Sequence, residues 1–262
     1  MTPLIRRESR ALAAAFTFMT RVPLGALASH DPADLPASAA YFPVVGIAVG
    51  LAGSAVYAAA SHLWPTPVAL VLAIAATVLM TGGFHEDALA DAFDGFGGGW
   101  SREQVLAIMK DSRVGSYALV GVILILALKF TALAALEPAG TIGIVRALVA
   151  GHVLGRWSSL VLIRRYPYVR PQTTGERPSA GRPFVAGITT PRFVVATLIM
   201  VVALGVLIGR PAIAPLIVSL IVTAAAGWYF DRRIGGITGD ALGAANQLVE
   251  LSVYLTLAAR FT

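Results

Sequence analysis

The sequence predicts an all-α, polytopic integral membrane protein with about six to seven transmembrane helices and a short N-terminal interfacial helix. Of the 262 residues, 57% are hydrophobic and only 13% are charged, and the mean hydropathy is +0.77. The charged share is roughly half that of a soluble domain, which excludes an ordinary soluble enzyme and a disordered chain. The chain has no cysteine, so disulfide frameworks and thiolate metal sites are also excluded.

The first predicted element is a basic, amphipathic stretch at the N-terminus. Arg6, Arg7 and Arg10 precede an apolar run over residues 11–20. Arg21 and Pro23 follow without a small-residue cleavage site, so the sequence favours an interfacial helix over residues 1–22 rather than a signal peptide.

Apolar runs long enough to cross a bilayer, which takes about 20 residues, follow along the chain. They cover residues 39–60, 67–83, 114–136, 141–163, 193–209, 212–230 and 241–259. Gly46, Gly50 and Gly53 lie in the first run and favour close helix packing. We expect one transmembrane domain over residues 1–262.

The basic residues are distributed unevenly around these runs. If the N-terminus is cytoplasmic, most loop arginines are cytoplasmic too, and only Arg210 and Arg260 lie on the opposite side. This positive-inside bias places the polar segments 85–113 and 164–192 in the cytoplasm. Because the arginines lie between apolar runs rather than on a soluble basic face, the sequence does not predict nucleic-acid binding.

Four of the 14 acidic residues, Glu86, Asp87, Asp91 and Asp94, lie close together at the edge of a membrane run. The last three are spaced i, i+4, i+7, which puts them on one face of a helix. Like charges on one face repel unless a cation lies between them, and hard oxygen ligands favour Mg²⁺, with Mn²⁺ as a substitute. The alternative is a solvated acidic helix end, which the apolar residues between the carboxylates disfavour.

A glycine-rich turn and a basic segment follow the acidic cluster. Gly97 and Gly98 belong to this turn, which is either a flexible helix end or a backbone approach to phosphate. Lys110 and Arg113 are able to bind phosphate, and Asp111 either joins the metal ligands or pairs with these cations. Ser112 fits the turn that begins the next helix.

The segment that begins at Gly82 is partly similar in sequence to the segment that begins at Gly235, and this internal similarity is called the echo below. Asp87 then aligns with Asp240, which predicts a parallel internal pseudo-repeat with Asp240 facing the acidic cluster. The second copy carries Asn246 and Glu250 instead of further aspartates.

Several charged or polar residues lie within the predicted spans. Glu250 requires a partner such as Arg146, Arg156 or a ligand. Arg146, His152 and Arg156 either pair inside the membrane or form a wall of an anionic-substrate pocket, and Lys129 snorkels or pairs.

Five motifs together give the chain a recognisable similarity. They are TRVPLG at Thr20, YFPVVGIAVG at Tyr41, GGFHEDALADAFDGFGGG at Gly82, IMKDSRVGSYA at Ile108 and GDALGAANQLVEL at Gly239. In this order they resemble the cobalamin synthase, or adenosylcobinamide-GDP ribazoletransferase, family. The resemblance implies a Mg²⁺-dependent enzyme of the bacterial cytoplasmic (inner) membrane, with its active site facing the cytoplasm.

The implied reaction joins adenosylcobinamide-GDP to α-ribazole or α-ribazole 5′-phosphate and releases GMP. We assign Asp91, Asp94, Lys110 and Arg113 to catalysis, with Asp91 or Asp94 as the base. The predicted metal ligands are Asp87, Asp91, Asp94 and Asp240, and the predicted substrate-binding residues are His85, Gly97, Gly98, Ser112 and Asn246. The lipid bilayer is the expected environment, and small-residue stripes are compatible with a homo-oligomer.

Two other functions are consistent with parts of the sequence. The carboxylate helix is distantly similar to the CDP-alcohol phosphotransferases, although the arginine of their motif is absent. A cation-coupled transporter would explain the repeated Asp motif and the intramembrane charges. The position of the acidic cluster at the membrane edge, beside glycines, disfavours the transporter.

Overall fold

The computed structural model describes residues 3–24, 34–169 and 188–259, and these are almost entirely α-helical. The helices are α1 (Pro3–Met19), α2 (Asp34–Ser38), α3 (Phe42–Ala60), α4 (Thr66–Thr81), α5 (Phe84–Gly98), α6 (Arg102–Ile108), α7 (Ser116–Ala134), α8 (Gly140–Arg165), α9 (Thr190–Leu207), α10 (Ile213–Ile234) and α11 (Gly239–Ala258). Every predicted apolar run corresponds to one of these helices. Most of the predicted segment 164–192, and residues 1–2 of the predicted interfacial helix, lie outside the described residues.

Five helical segments within these ranges are long and apolar enough to cross a membrane. They are Pro36–Ala60, Ser116–Ala134, Glu137–Arg165, Thr190–Leu207 and Arg210–Ile234. Helices α4 and α5 meet at an angle of 89° and qualify together as a sixth span. The predicted last span forms the helix α11 but is not in this set, since it carries Asp240, Asn246, Gln247 and Glu250.

Helices α7, α9 and α10 expose large apolar side chains on their outer faces. Examples are Leu119, Val120, Ile123, Val202, Val206 and Ile221. Such extended apolar surfaces are unfavourable in water and favourable against lipid tails. The chain is therefore a membrane protein.

Helix α8 lies at the centre of the bundle, where α3, α9, α10 and α11 pack around it. A Cβ added at Gly46 of α3 would lie 2.5 Å from the carbonyl oxygen of His152. At Gly50 it would lie 2.6 Å from the Cα of Val149. These two positions confirm the predicted role of the α3 glycines in close helix packing.

Helix α1 lies against the bundle through the small side chains Ala11, Ala13, Ala14 and Ala15. Its Glu8 carboxylate accepts hydrogen bonds from both Nη atoms of Arg192 in α9, at 2.5 and 2.7 Å. The Tyr41 hydroxyl donates a third bond to Glu8 at 2.6 Å. The helix predicted at the N-terminus thus exists, and its location at the membrane interface stays a prediction.

Candidate active site

Helix α5 carries the acidic cluster and begins at a sharp turn. Gly82 and Gly83 separate it from α4, and both have a positive φ, 68° and 70°, which favours glycine. The turn directs α5 across the end of the bundle, where α7 and α11 pack against it. Asp87, Asp91 and Asp94 line one cavity of about 400 Å³, as their spacing predicted.

The same cavity collects residues from distant parts of the chain. Its other polar lining residues are Lys110, Asp111, Ser112, Arg113 and Asp240. All predicted catalytic residues and all predicted metal ligands therefore border one space. Lys110 and Arg113 are exposed at its edge, whereas Asp91, Asp94 and Asp240 are partly buried.

Asp94 has a structural contact that the sequence did not predict. Its carboxylate accepts hydrogen bonds from the backbone N–H of Gly115 at 2.6 Å and of Ala118 at 2.8 Å. These N–H groups belong to the start of α7, where helix geometry leaves backbone donors without intrahelical partners. A Cβ at Gly115 would lie 2.5 Å from the Asp94 Oδ1, so a larger residue there would force this carboxylate to move.

Asp111 and Arg113 form an ion pair at the cavity edge. The Arg113 Nε donates to both carboxylate oxygens of Asp111, at 2.9 and 3.0 Å, and the Arg113 backbone N–H donates to Oδ1 at 3.0 Å. These bonds, first the guanidinium and then the backbone N–H, lower the pKa of Asp111 to about 2. Of the two alternatives for Asp111, the structure shows pairing with the adjacent cation.

Asp240 reaches the cavity from the start of α11. The hydroxyl of Thr238 caps this helix by accepting a bond from the Ala241 N–H at 3.1 Å. Gly235 ends α10 with a φ of 75°, as Gly82 ends α4 with a φ of 68°. The two echoed segments thus share a left-handed glycine turn followed by a helix, and their aspartates line the same cavity.

The other predicted substrate-binding residues lie outside this cavity, except for Ser112. His85 and Asn246 are buried in the bundle, at 3% and 1% exposure. Gly97 packs under the Tyr117 ring and lines a separate, largely apolar cavity of about 500 Å³. A Cβ added at Gly98 would lie 3.4 Å from the Ile108 side chain. Their contact with substrate stays a prediction.

The cavity offers oxygen donors that suit a hard divalent cation. In their present arrangement, no three His, Asp or Glu side chains within the described ranges are close enough to hold a metal ion together. Mg²⁺ commonly takes only one or two carboxylates, with waters and substrate phosphates completing its shell. The oxygen donors of the cavity are therefore of the type that Mg²⁺ binds.

Four of the five predicted intramembrane polar residues form a separate buried network: Lys129, His152, Arg156 and Glu250. Glu250 Oε1 accepts from Lys129 Nζ and the Tyr254 hydroxyl, at 2.8 and 2.9 Å, and Glu250 Oε2 lies 3.3 Å from His152 Nδ1. Arg156 donates to the backbone oxygen of His152 at 3.1 Å. For His152 and Arg156, the structure shows intramembrane pairing, which is one of the two alternatives.

The partners of Glu250 differ from those expected. Arg146 is exposed on α8 and is not among them. Lys129 takes this place because α7 brings its side chain into the bundle, where it is only 3% exposed.

A second polar cavity adjoins the first and was not predicted. It has a volume of about 620 Å³ and lies between the end of α1 and the start of α5. Asp87 lines both cavities, and Arg21 is the cation of the second one. In the sequence, Arg21 stood out only as part of the TRVPLG motif. Nothing in that motif indicates that it lies next to α5.

Comparisons with known proteins give the family. The family described as cobalamin-5-phosphate synthase matches residues 11–258. The chain is 40% identical over 254 residues to an adenosylcobinamide-GDP ribazoletransferase of Shewanella amazonensis, covering 96% of each chain. It is 41% identical over 252 residues to a protein of that name from Leptothrix cholodnii, covering 95% of this chain and 94% of the relative.

A third relative of the same name, from Ralstonia nicotianae, is 37% identical over 268 residues, with 99% of this chain and 98% of the relative covered. No solved structure matches the chain. These names agree with the predicted transferase rather than with a CDP-alcohol enzyme or a transporter. The chain belongs to the cobalamin-5-phosphate synthase family of adenosylcobinamide-GDP ribazoletransferases.

Proposed function

We propose that the cavity of Asp87, Asp91, Asp94 and Asp240 is where the hydroxyl of α-ribazole, or of its 5′-phosphate, attacks adenosylcobinamide-GDP. The observation that carries this is the convergence of these aspartates and Lys110 on one space from three separate segments. Phosphoryl transfer depends mainly on positioning and on neutralising negative charge. The carboxylates suit a divalent cation that would neutralise the charge of the phosphates, and Lys110 at the cavity edge adds positive charge.

The bond changes are those of a displacement at phosphorus. The acceptor oxygen bonds to the phosphorus attached to cobinamide, and the bond from that phosphorus to the bridging oxygen breaks, so that GMP leaves with the electron pair. Because both oxygens of Asp94 accept backbone bonds, we assign acceptance of the hydroxyl proton to Asp91. Lys110 supplies positive charge toward the leaving phosphate.

Mg²⁺ is the proposed cofactor of this site. Asp87, Asp91, Asp94 and Asp240 are the carboxylates available to hold it, one or two of them binding the ion together with the substrate pyrophosphate. When bound, it supplies charge neutralisation at the pyrophosphate.

We also propose that the site faces the cytoplasm of a bacterial inner membrane. The cavity lies at the end of the bundle that carries Arg102, Lys110 and Arg113, on the connection between α5 and α7. Retention of basic loops in the cytoplasm supports this orientation.

The test is GMP release by the purified protein in detergent, with adenosylcobinamide-GDP and α-ribazole as substrates. We expect release with Mg²⁺, none with EDTA, and a loss of at least about 100-fold in Asp87→Asn. Asp231→Asn changes an exposed carboxylate outside the cavity and should retain activity and the same melting temperature. Release that persists in EDTA, or full activity of Asp87→Asn, would contradict the proposal.

A further inference from the structure

The cavity beside Arg21 is separate from the aspartate cavity but shares one wall with it. Three threonines, Thr17, Thr20 and Thr81, line it together with Arg21 and Asp87. Its volume of about 620 Å³ lies within the range of about 300–1,000 Å³ that small-molecule sites occupy. It is thus large enough for a nucleoside phosphate.

Two contacts position Arg21: a backbone hydrogen bond and the close approach of its side chain to a glycine. Its N–H donates to the carbonyl oxygen of Met80 at 2.7 Å, which fixes the chain after α1 to the end of α4. Its side chain crosses directly over Gly82, and a Cβ there would overlap the guanidinium. The Arg21 side chain lines this cavity and is exposed to solvent, and no hydrogen bond or ion pair joins its guanidinium to another residue in the described ranges.

A displacement at phosphorus requires space on both sides of the reacting atom, because the entering and leaving oxygens lie roughly in line. Asp87 has a cavity on each side. The aspartate cavity, with Asp91 and Lys110, suits the pyrophosphate and the attacking hydroxyl. The adjoining cavity across Asp87 is then available to the rest of the acceptor.

We propose that the Arg21 cavity is the acceptor site and that Arg21 binds the 5′-phosphate of α-ribazole 5′-phosphate. This inference rests on the proposed function of the aspartate cavity. A guanidinium binds a phosphate through two parallel charge-assisted hydrogen bonds. A phosphomonoester is therefore the chemical group that best matches this cavity.

The experiment measures binding of α-ribazole 5′-phosphate and of α-ribazole to the purified protein by calorimetry, without Mg²⁺ or adenosylcobinamide-GDP. We expect Arg21→Gln to weaken binding of the phosphorylated acceptor about 10- to 100-fold, and to lower its preference over α-ribazole by at least about 10-fold. Arg21→Lys keeps the positive charge but loses the paired guanidinium hydrogen bonds, so its affinity for the phosphorylated acceptor should be intermediate. Thr17→Glu adds a negative charge to the cavity wall and should weaken the same ligand.

Arg6→Gln is the matched control, since Arg6 is an exposed arginine on α1 outside the cavity. It should bind both acceptors like the wild type, and melting temperatures of all variants report whether the fold is intact. Because binding needs no turnover, failure of GMP release would contradict the proposed function while leaving this test valid.

Three outcomes would overturn the acceptor site. One is an equal loss of both acceptors in Arg21→Gln. Another is weaker binding of adenosylcobinamide-GDP with unchanged binding of the acceptors. The third is displacement of a bound phosphate ligand by short-chain phosphatidic acid but not by α-ribazole 5′-phosphate, which would assign the cavity to a lipid headgroup.

Discussion

We assign different roles to Asp91 and Asp94, which lie one turn apart on α5. Asp94 holds the backbone of Gly115 and Ala118 at 2.6 and 2.8 Å and thereby fixes the start of α7. Asp91 lines the cavity one turn earlier, and we assign it the acceptor proton. Asp94 therefore supports the structure around the site, and the chemical role of Asp91 is our proposal.

This division predicts different losses for the two substitutions. Asp94→Ala should lower the free energy of unfolding by about 2 kcal/mol, because two N–H groups lose a charged acceptor. Asp91→Asn should keep the melting temperature and lower the rate of GMP release by about 100-fold or more. Thermal melting in detergent and the release assay separate the two effects. Equal melting temperatures for Asp94→Ala and the wild type would disprove the supporting role of Asp94.

At the scale of the helices, two ion pairs link helices that are distant in sequence. Glu8 ties α1 to α9 through Arg192, and Lys129 ties α7 to α11 through Glu250. The first pair is partly exposed, whereas the side chains of the second are 3% and 4% exposed. Because solvent screens the first pair and not the second, their energetics differ.

The pair of Glu8 and Arg192 should make the stability depend on pH. The Arg192 guanidinium lowers the pKa of Glu8 from 4.5 to about 2. A lowered pKa stabilises the fold above pH 4.5, and this contribution is lost as the pH falls from there toward 2. A double-mutant cycle of Glu8→Gln and Arg192→Gln should show coupling at pH 6 that shrinks at pH 3. A coupling that is constant over this range would contradict the prediction.

The buried pair should behave differently. Lys129→Met alone leaves the carboxylate of Glu250 without its cation inside the bundle, and we expect a loss of about 3–5 kcal/mol. Glu250→Gln in addition removes the unpaired charge and should restore part of that loss. Melting temperatures of the two single variants and the double variant test this. Strictly additive losses would show that the two side chains do not act as a pair.

At the scale of the whole molecule, the position of the site relative to the membrane depends on the bent pair α4 and α5. If this pair forms one span, the turn before α4 and the turn after α5 lie on opposite sides of the membrane. The chain has no cysteine, so single cysteines are direct reporters of side. Leu63 and Trp100 are suitable positions because they are 73% and 94% exposed.

We expect an impermeant maleimide to label Trp100→Cys from the cytoplasmic side and Leu63→Cys from the opposite side. Right-side-out vesicles expose the outer side of the membrane to the reagent, and inverted vesicles expose the cytoplasmic side. The cysteine-free parent protein is the negative control. Labelling of both positions from the same side would show that α4 and α5 form a re-entrant loop.

Much of this architecture was readable from local patterns. Each apolar run corresponds to a helix, because the length and hydropathy of a segment are properties of that segment alone. The spacing of Asp87, Asp91 and Asp94 is also a local property. Residues at i, i+4 and i+7 lie on one face of any α-helix, so the spacing alone placed them together. The echo at Gly235 was readable too, and it brought Asp240 to the same cavity.

By itself, the sequence thus determined the membrane class, the helices, the carboxylate face and the family. Only the tertiary structure decided that Asp94 binds the start of α7, that Lys129 rather than Arg146 partners Glu250, and that Arg21 borders a second cavity at Asp87. Each of these depends on which faces of distant helices meet. That choice is made by the packing of the whole bundle, which no local spacing encodes.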